Sequence, residues 1–384
     1  MKKITVGLLY PRSALYPGIG FDVTEAFRSA LQHYDAQDIH LVTENVGIGG
    51  VGSEVLAKVE KMLIEQRPDI LVAFVDHFAA EKIEPVCKAA NCILIVMETG
   101  GTIPVSWKAV PGKYHITLDA AFGSRLTGHM AGDASAAFAT SFYDGGYLCC
   151  NAFTAGLADQ GGNVCYNYVA PFRFEEFDIK PLQQAIETLE PGVLLAQMSI
   201  DMGALFLETY KAAGLAGKTK FLASPFLLEE QFLESLAFPF EGITGCVPWS
   251  INLDTPGNKE FTEAYTALSG RTPTCFAALA WDTCNFALQV AAAIRTYPGK
   301  RAQVLEALKG IALTSTRGTM VLDDETNYFT APLYAAEVVS GENGNAALRT
   351  GAEIAGREAA WKTFTSEPVT GVFSRWTNTY LCTQ

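Results

Sequence analysis

The residues best suited to chemistry in this chain stand directly after short apolar runs. Arg12, Ser13 and Tyr16 follow the first run, Asp76, His77 and Phe78 a later one, and Glu98, Thr99, Gly100 and Thr102 the next. Tyr143, Asp144 and Tyr147, then Ser199 and Asp201, then Phe226, repeat the arrangement further along. Carboxylates can hold a cationic group or move a proton, hydroxyls and glycine N–H groups can cradle an anion, and aromatic rings can cover an apolar face. None of the usual catalytic signatures selects a reacting residue: the five histidines form no H-E-x-x-H, and no G-x-S-x-G elbow occurs. The set therefore reads as binding groups, with no catalytic residue. Structural readings stand beside it: His77 as a helix cap, Asp144 as a helix N-terminal charge, Tyr143 and Tyr147 as a bridge from turn to helix, Trp249 and Phe276 as packing.

Two other patterns need weighing. Residues 47–52 satisfy G-x-G-x-x-G between a strand and a helix, the context of a dinucleotide fingerprint. The pattern follows the second strand rather than the first, and an acidic ribose partner is poorly placed at Asp69 or Asp76, so a plain glycine loop is the expectation. The nine cysteines lack paired C-x-x-C spacing and read as small buried apolar residues, which favours a reducing compartment and no zinc.

For the candidate residues to meet, the runs before them must be strands of common sheets. Residues 4–10 are short, apolar and β-rich; Pro11, Pro17, Gly18 and Gly20 break the run; then Phe21, Ala26, Phe27, Ala30, Leu31 and Tyr34 recur at helical spacing. This is one strand-to-helix unit of an α/β sheet, in which ligands gather at the carboxyl ends of the strands. Strands are expected over 39–44, 70–75, 92–97 and 114–118, and a second series over 134–141, 164–169, 193–198, 220–223 and 242–249. Helices over 259–268, 275–295 and 301–309 follow, with last strands over 318–322 and 332–339.

At 384 residues, 49% hydrophobic and 18% charged, the chain can bury two cores. A net charge of −13 with scattered Lys and Arg argues against a nucleic-acid partner. The sequence reads as not membrane-embedded, since no window reaches the ~20 uninterrupted apolar residues of a span. Only Met1, Lys2 and Lys3 precede the first strand, so the expectation is either a mature form with a replaced start or a cytoplasmic protein.

In element order and in several local sequences the chain resembles the type I periplasmic binding proteins, specifically the leucine/isoleucine/valine-binding branch. The similarity covers residues 4–339. Its landmarks are the opening strand, loop and helix, Glu98 to Pro104 at a small-residue loop, and Ser141-Phe142-Tyr143-Asp144-Gly145-Gly146-Tyr147 at the start of the second lobe. Gly270-x-x-Pro273, Phe276 to Asp282, and Gly318 to Asp323 follow. The resemblance implies an α/β fold of two Rossmann-like lobes joined by three hinge crossovers. Lobe one would hold 1–118 and 248–325, lobe two 119–247 and 326–345, with 346–384 a tail; crossovers would lie near 118–119, 247–250 and 323–328.

It further implies a non-enzymatic solute-binding protein without a cofactor, closing its lobes on a small polar ligand, an amino acid or related carboxylate or amide. The partners implied are that ligand and the membrane subunits of an ABC importer, and the location is the periplasm or cell exterior. Thr99 to Thr102 inherit a carboxylate-clamping role by the same resemblance. Two departures stand out: Pro225-Phe226 replaces the carboxylate that amino-acid binders place for the ammonium, and Asp76-His77-Phe78 replaces small hydroxyl residues. The alternatives are a cytoplasmic small-molecule sensor on the same fold and, more distantly, a nucleotide-dependent oxidoreductase.

Overall fold

A computed structural model describes residues 3–146, 148–341 and 344–367. The described residues divide into two compact units, one over 3–118 and 253–332, the other over 119–252 and 333–367.

Unit one begins with β1 (Ile4–Tyr10), α1 (Ile19–His33), β2 (Ile39–Asn45), α2 (Gly52–Glu65), β3 (Ile70–Phe74), α3 (His77–Ala89), β4 (Ile93–Glu98) and β5 (Lys113–Thr117). Unit two continues with α4 (Ala120–His129), β6 (Ser135–Ser141), α5 (Leu148–Asp159), β7 (Asn163–Ala170), α6 (Lys180–Leu189), β8 (Val193–Gln197), α7 (Ile200–Ala212), β9 (Lys220–Ala223), α8 (Glu230–Ser235) and β10 (Ile243–Val247). The chain returns to unit one for α9 (Pro256–Ser269), α10 (Cys275–Thr296), α11 (Arg301–Ala307), β11 (Ala312–Ser315), β12 (Gly318–Asp323) and β13 (Tyr328–Thr330). The last described elements belong to unit two: β14 (Tyr334–Ser340), β15 (Ala346–Glu353) and α12 (Arg357–Ser366).

The sheet of unit one has the order β11-β12-β13-β5-β4-β3-β1-β2, and that of unit two β15-β14-β10-β9-β8-β6-β7. β3 is buried along its whole length, as a central parallel strand covered on both faces must be. Its register with β4 sets Phe74 beside Met97, which brings the residues after both strands to one edge. In each sheet the chain reverses its direction of winding once, between β1 and β3 and between β6 and β8, and these switch points open crevices at the carboxyl ends.

α10 is long and apolar enough, by length and composition, to cross a membrane, yet 67% of its most apolar window is buried. It is the core helix of unit one and packs on α1, β3 and β4. Arg317, fully buried in the β11–β12 turn, donates from Nη1 to the Thr117 carbonyl oxygen (2.8 Å) and lies 3.6 Å from the Asp282 carboxylate of α10. In unit two, α4 and α5 cross at glycines: a Cβ on Gly156 would stand 2.0 Å from the Arg125 carbonyl oxygen, and one on Gly128 2.3 Å from that of Phe153. Arg125 also ties the residue after α12 to this pair, donating to Asp159 and to both oxygens of Glu367.

The lobe boundaries expected from the resemblance shift in three places. The chain stays with unit two through Asn252, because Ser250 Oγ and the Ile251 N–H donate to the Glu230 carboxylate (2.7 and 3.0 Å). It stays with unit one through Pro332, because β13 pairs with β12 and sets Tyr328 beside His115 of β5. Residues 346–353, expected in a tail, form the edge strand β15 on β14. Of the cysteines, Cys165 is exposed on the edge strand β7, while Cys87, Cys92, Cys149, Cys150, Cys246, Cys275 and Cys284 are buried; Cys382 lies outside the described residues.

Several buried carboxyls set the pH dependence of stability. Burial pushes Glu229 up to about 7, against the N–H groups of Gln231 and Phe232 that it caps. It pushes Asp76 and Asp282 up to about 6. These groups bind a proton more tightly folded than unfolded, so the stability they lend is present at low pH and lost as pH rises through 6 to 7. His115, held well below its ordinary value by burial, acts in the opposite sense below about pH 6.5. The net expectation is about 1 kcal/mol more stability at pH 6 than at pH 8. Scanning calorimetry at the two values checks it, and Glu229→Gln should remove most of the difference; equal melting at both values in the unaltered chain would refute the assignment.

Candidate functional site

The carboxyl ends of β3 and β4 carry a buried polar network. Asp76 caps α3, accepting from the Ala79 N–H at 2.8 Å, while its own N–H donates to the Gly49 carbonyl oxygen at 3.2 Å. Its second oxygen, Oδ2, is buried with no hydrogen-bond partner among the described residues. Burial is the main reason its pKa rises, and the Glu98 charge adds to it. His77 opens α3 with its Nε2 2.7 Å from Glu98 Oε1. Glu98 is fully buried, and its other oxygen accepts from Thr102 Oγ1 at 3.3 Å.

The far side of His77 is closed by Tyr328, whose hydroxyl stands 3.1 Å from both ring nitrogens. That phenol ring stacks on His115 with centroids 4.2 Å apart and planes 2° from parallel, and Trp107 meets its edge. Tyr328, His77, Glu98 and Thr102 thus form one chain of contacts from β13 through the start of α3 to the end of β4 and the loop after it. Thr99 Oγ accepts from the Gly101 N–H at 3.3 Å, and Gly100 takes a φ of +75° that its lack of a side chain permits. Of the two hydroxyls in residues 99–102, that of Thr102 donates to Glu98 and that of Thr99 accepts within its own loop.

The β1 end is less polar than its sequence suggests. Tyr16 is buried edge-on against Phe276, with centroids 5.0 Å apart, and its N–H donates to Ser13 Oγ. Arg12 has an exposed side chain, and its N–H donates to the Gly47 carbonyl oxygen. Phe78 is half-buried on the first turn of α3. Among the glycines of residues 47–52, Gly49 has a packing reason: at φ +74°, a Cβ there would stand 2.6 Å from the Phe74 carbonyl oxygen. The loop's letter-perfect pattern serves its close approach to β3.

In unit two the corresponding crevice is organised by Asp144. Its Oδ2 accepts from Ser141 Oγ (2.6 Å), the Ser199 N–H (2.7 Å) and Ser199 Oγ (3.1 Å), pinning the end of β6 to the start of α7. Burial raises its pKa and these donors oppose the rise. Asp144 Oδ1, Gln197 Oε1 and Ser224 Oγ, after or at the ends of β6, β8 and β9, are buried without partners among the described residues. Tyr143 is half-buried beside Asp144, Asp201 is exposed on α7, and Phe226 is buried in the turn Pro225–Leu228. Tyr147 lies outside the described residues.

Sequence reasoning missed Tyr328, His115, Ser141, Gln197 and Ser224. Ser141, Gln197 and Ser224 end or follow strands and were open to the same strand-end rule. Tyr328 stands 251 residues from His77, and no local pattern joins them.

The profile of the periplasmic binding protein family matches residues 3–345. The Leu/Ile/Val-binding protein homolog 6 of Brucella suis biovar 1 (strain 1330) is 24% identical over 306 residues, covering 75% of this chain and 74% of its own length. An ABC transporter substrate-binding protein from Sphaerobacter thermophilus superposes with a TM-score of 0.77 at 19% identity, over 91% of this chain and 97% of that one. A solute-binding protein of an ABC transporter from Rhodopseudomonas palustris BisB5, solved with 3,4-dihydroxybenzoic acid, gives 0.72 at 19% identity, over 92% and 98%.

Proposed function

The chain belongs to the periplasmic binding protein family, and from that premise we propose that it is a solute-binding protein that captures a small polar molecule and delivers it to an ABC importer. The observation that carries this reading is the placement of buried, incompletely paired polar groups at the carboxyl ends of the central strands in each of two α/β units. Enclosed polar atoms without partners cost stability unless a ligand supplies what they lack. Holding a solute requires no bond to be made or broken, and the family is one of binding proteins. The named relatives support small organic solutes: one is called a Leu/Ile/Val-binding homologue, another was solved with a dihydroxybenzoic acid. An amino acid or a related carboxylate or amide is the class proposed, with the membrane subunits of the importer as the protein partner and the periplasm or cell exterior as the place of action.

Release of small molecules from the purified chain by denaturation, followed by mass spectrometry, tests the first part, and detection of the native protein in a periplasmic or cell-surface fraction tests the second. A thermal-shift panel of amino acids, amides and aromatic acids should contain at least one compound that stabilises the fold, by about 2.7 kcal/mol at a hundredfold excess over Kd. A folded chain unmoved by the whole panel, carrying no released compound and confined to the cytoplasm, would refute the reading.

A further inference from the structure

The solute-binding reading leaves open what the ligand presents to unit one, and the β3 and β4 ends constrain it. Two carboxylates are enclosed there, Asp76 at 1% and Glu98 at 0% exposure. Glu98 is engaged by His77 and Thr102, and one oxygen of Asp76 by the Ala79 N–H; the Phe78 N–H also favours the ionised Asp76 carboxyl, while Asp76 Oδ2 is buried with no partner at hydrogen-bond geometry among the described residues. Among those residues no Lys or Arg side chain pairs with either carboxylate. A ligand carboxylate at this edge would meet the Asp76 carboxylate, beside a Glu98 already faced by His77, where little water screens them. A donor would meet Asp76 Oδ2, a buried acceptor without a hydrogen-bond partner among the described residues. The Thr102 hydroxyl, which would otherwise donate to an anion, donates to Glu98, and the Thr99 hydroxyl oxygen accepts from the Gly101 N–H.

We propose that the group a ligand places against the β3 and β4 ends of unit one is a hydrogen-bond donor, an ammonium or a primary amide. The ligands are then amines, amides or zwitterionic amino acids, and simple carboxylates such as benzoates are excluded. The switch crevice of unit two shows the same bias, with Asp144 Oδ1 and Gln197 Oε1 buried as unpartnered acceptors.

Calorimetry with matched sets tests this: benzoate, benzamide and benzylamine, and isovalerate, isovaleramide and leucine. In the unaltered chain the donor-bearing members should bind at least about tenfold more tightly than the matched carboxylate. Asp76→Asn keeps an oxygen for the α3 cap and replaces the unpartnered oxygen with an NH2 group, so it should fold and lose about tenfold or more of the affinity for the donor-bearing ligand. Circular dichroism confirms that the variant is folded, and the wild-type comparison stands without it. Carboxylates binding as well as their amides, or an unchanged preference in folded Asp76→Asn, would overturn the assignment while leaving solute binding intact. Silence across all sets, in a folded chain that releases no small molecule on denaturation, would overturn solute binding itself, and this inference with it.

Discussion

Arg317→Ala is expected to lower the stability of unit one by about 3–5 kcal/mol, the usual cost of stripping one partner from a buried ion pair. Arg317 and Asp282 are both fully enclosed, so the carboxylate left behind cannot turn to water. Asp282 would keep the Thr316 N–H (2.8 Å) and hydroxyl (3.0 Å), which explains why the loss is bounded. The Thr117 carbonyl at the end of β5 would lose its donor as well. Burial already pushes Asp282 up to about 6 with the guanidinium nearby; without it the carboxyl should stay protonated to higher pH. The variant's stability should therefore fall more steeply between pH 6 and 8 than the parent's. Replacing both groups, as in Arg317→Met with Asp282→Leu, should recover much of the loss, since a matched apolar pair leaves no stranded charge. Urea unfolding measures all three chains, and a single-variant loss under about 1 kcal/mol would show that the pair contributes little.

Gly156→Ala is the second large effect, expected to cost unit two about 3 kcal/mol. The new methyl would stand 2.0 Å from the Arg125 carbonyl oxygen, a backbone atom that no side-chain rotation can move aside. α4 and α5 must then separate. That in turn loosens Gly128 against Phe153 and the Arg125–Asp159 link. Gly192→Ala is a fair control, because its Cβ would meet Ala134 at 3.4 Å and the Ser135 carbonyl oxygen at 3.8 Å, ordinary contacts, and its backbone is not left-handed. Denaturation midpoints should differ sharply between the two; equal midpoints would refute close helix contact as the reason for Gly156.

How much of this was legible beforehand follows from the range of the interactions. The strand-to-helix units could be read from short patterns, because β3 is a plain apolar run closed by Asp76 and α1 repeats its buried residues Val23, Ala26, Phe27 and Ala30 at helical spacing. The periodicity of residues 346–353 is weak, and that strand exists because β14 offers it a pairing edge. β13 is three residues long and is defined by its neighbours β12 and β5.

The candidate residues divide the same way. Strand-end position alone located Asp76, His77, Glu98, Asp144 and Ser199. What each does depends on partners far away in sequence: Tyr328 on His77, and Ser199 on Asp144 across 55 residues. Tyr16, placed by the same rule, instead spends its ring on Phe276 at the start of α10. In residues 99–102, the Thr102 hydroxyl, which reads as a donor for an anion, donates to Glu98 four residues back.

The central claim is that this chain holds a small polar solute as its working state. Isothermal titration calorimetry of the ligand-stripped protein against amino acids, amides and aromatic acids tests it most directly. The account predicts saturable binding of at least one compound at a stoichiometry of one per chain. Flat titrations across the panel, with a chain that scanning calorimetry shows to be folded, would contradict it.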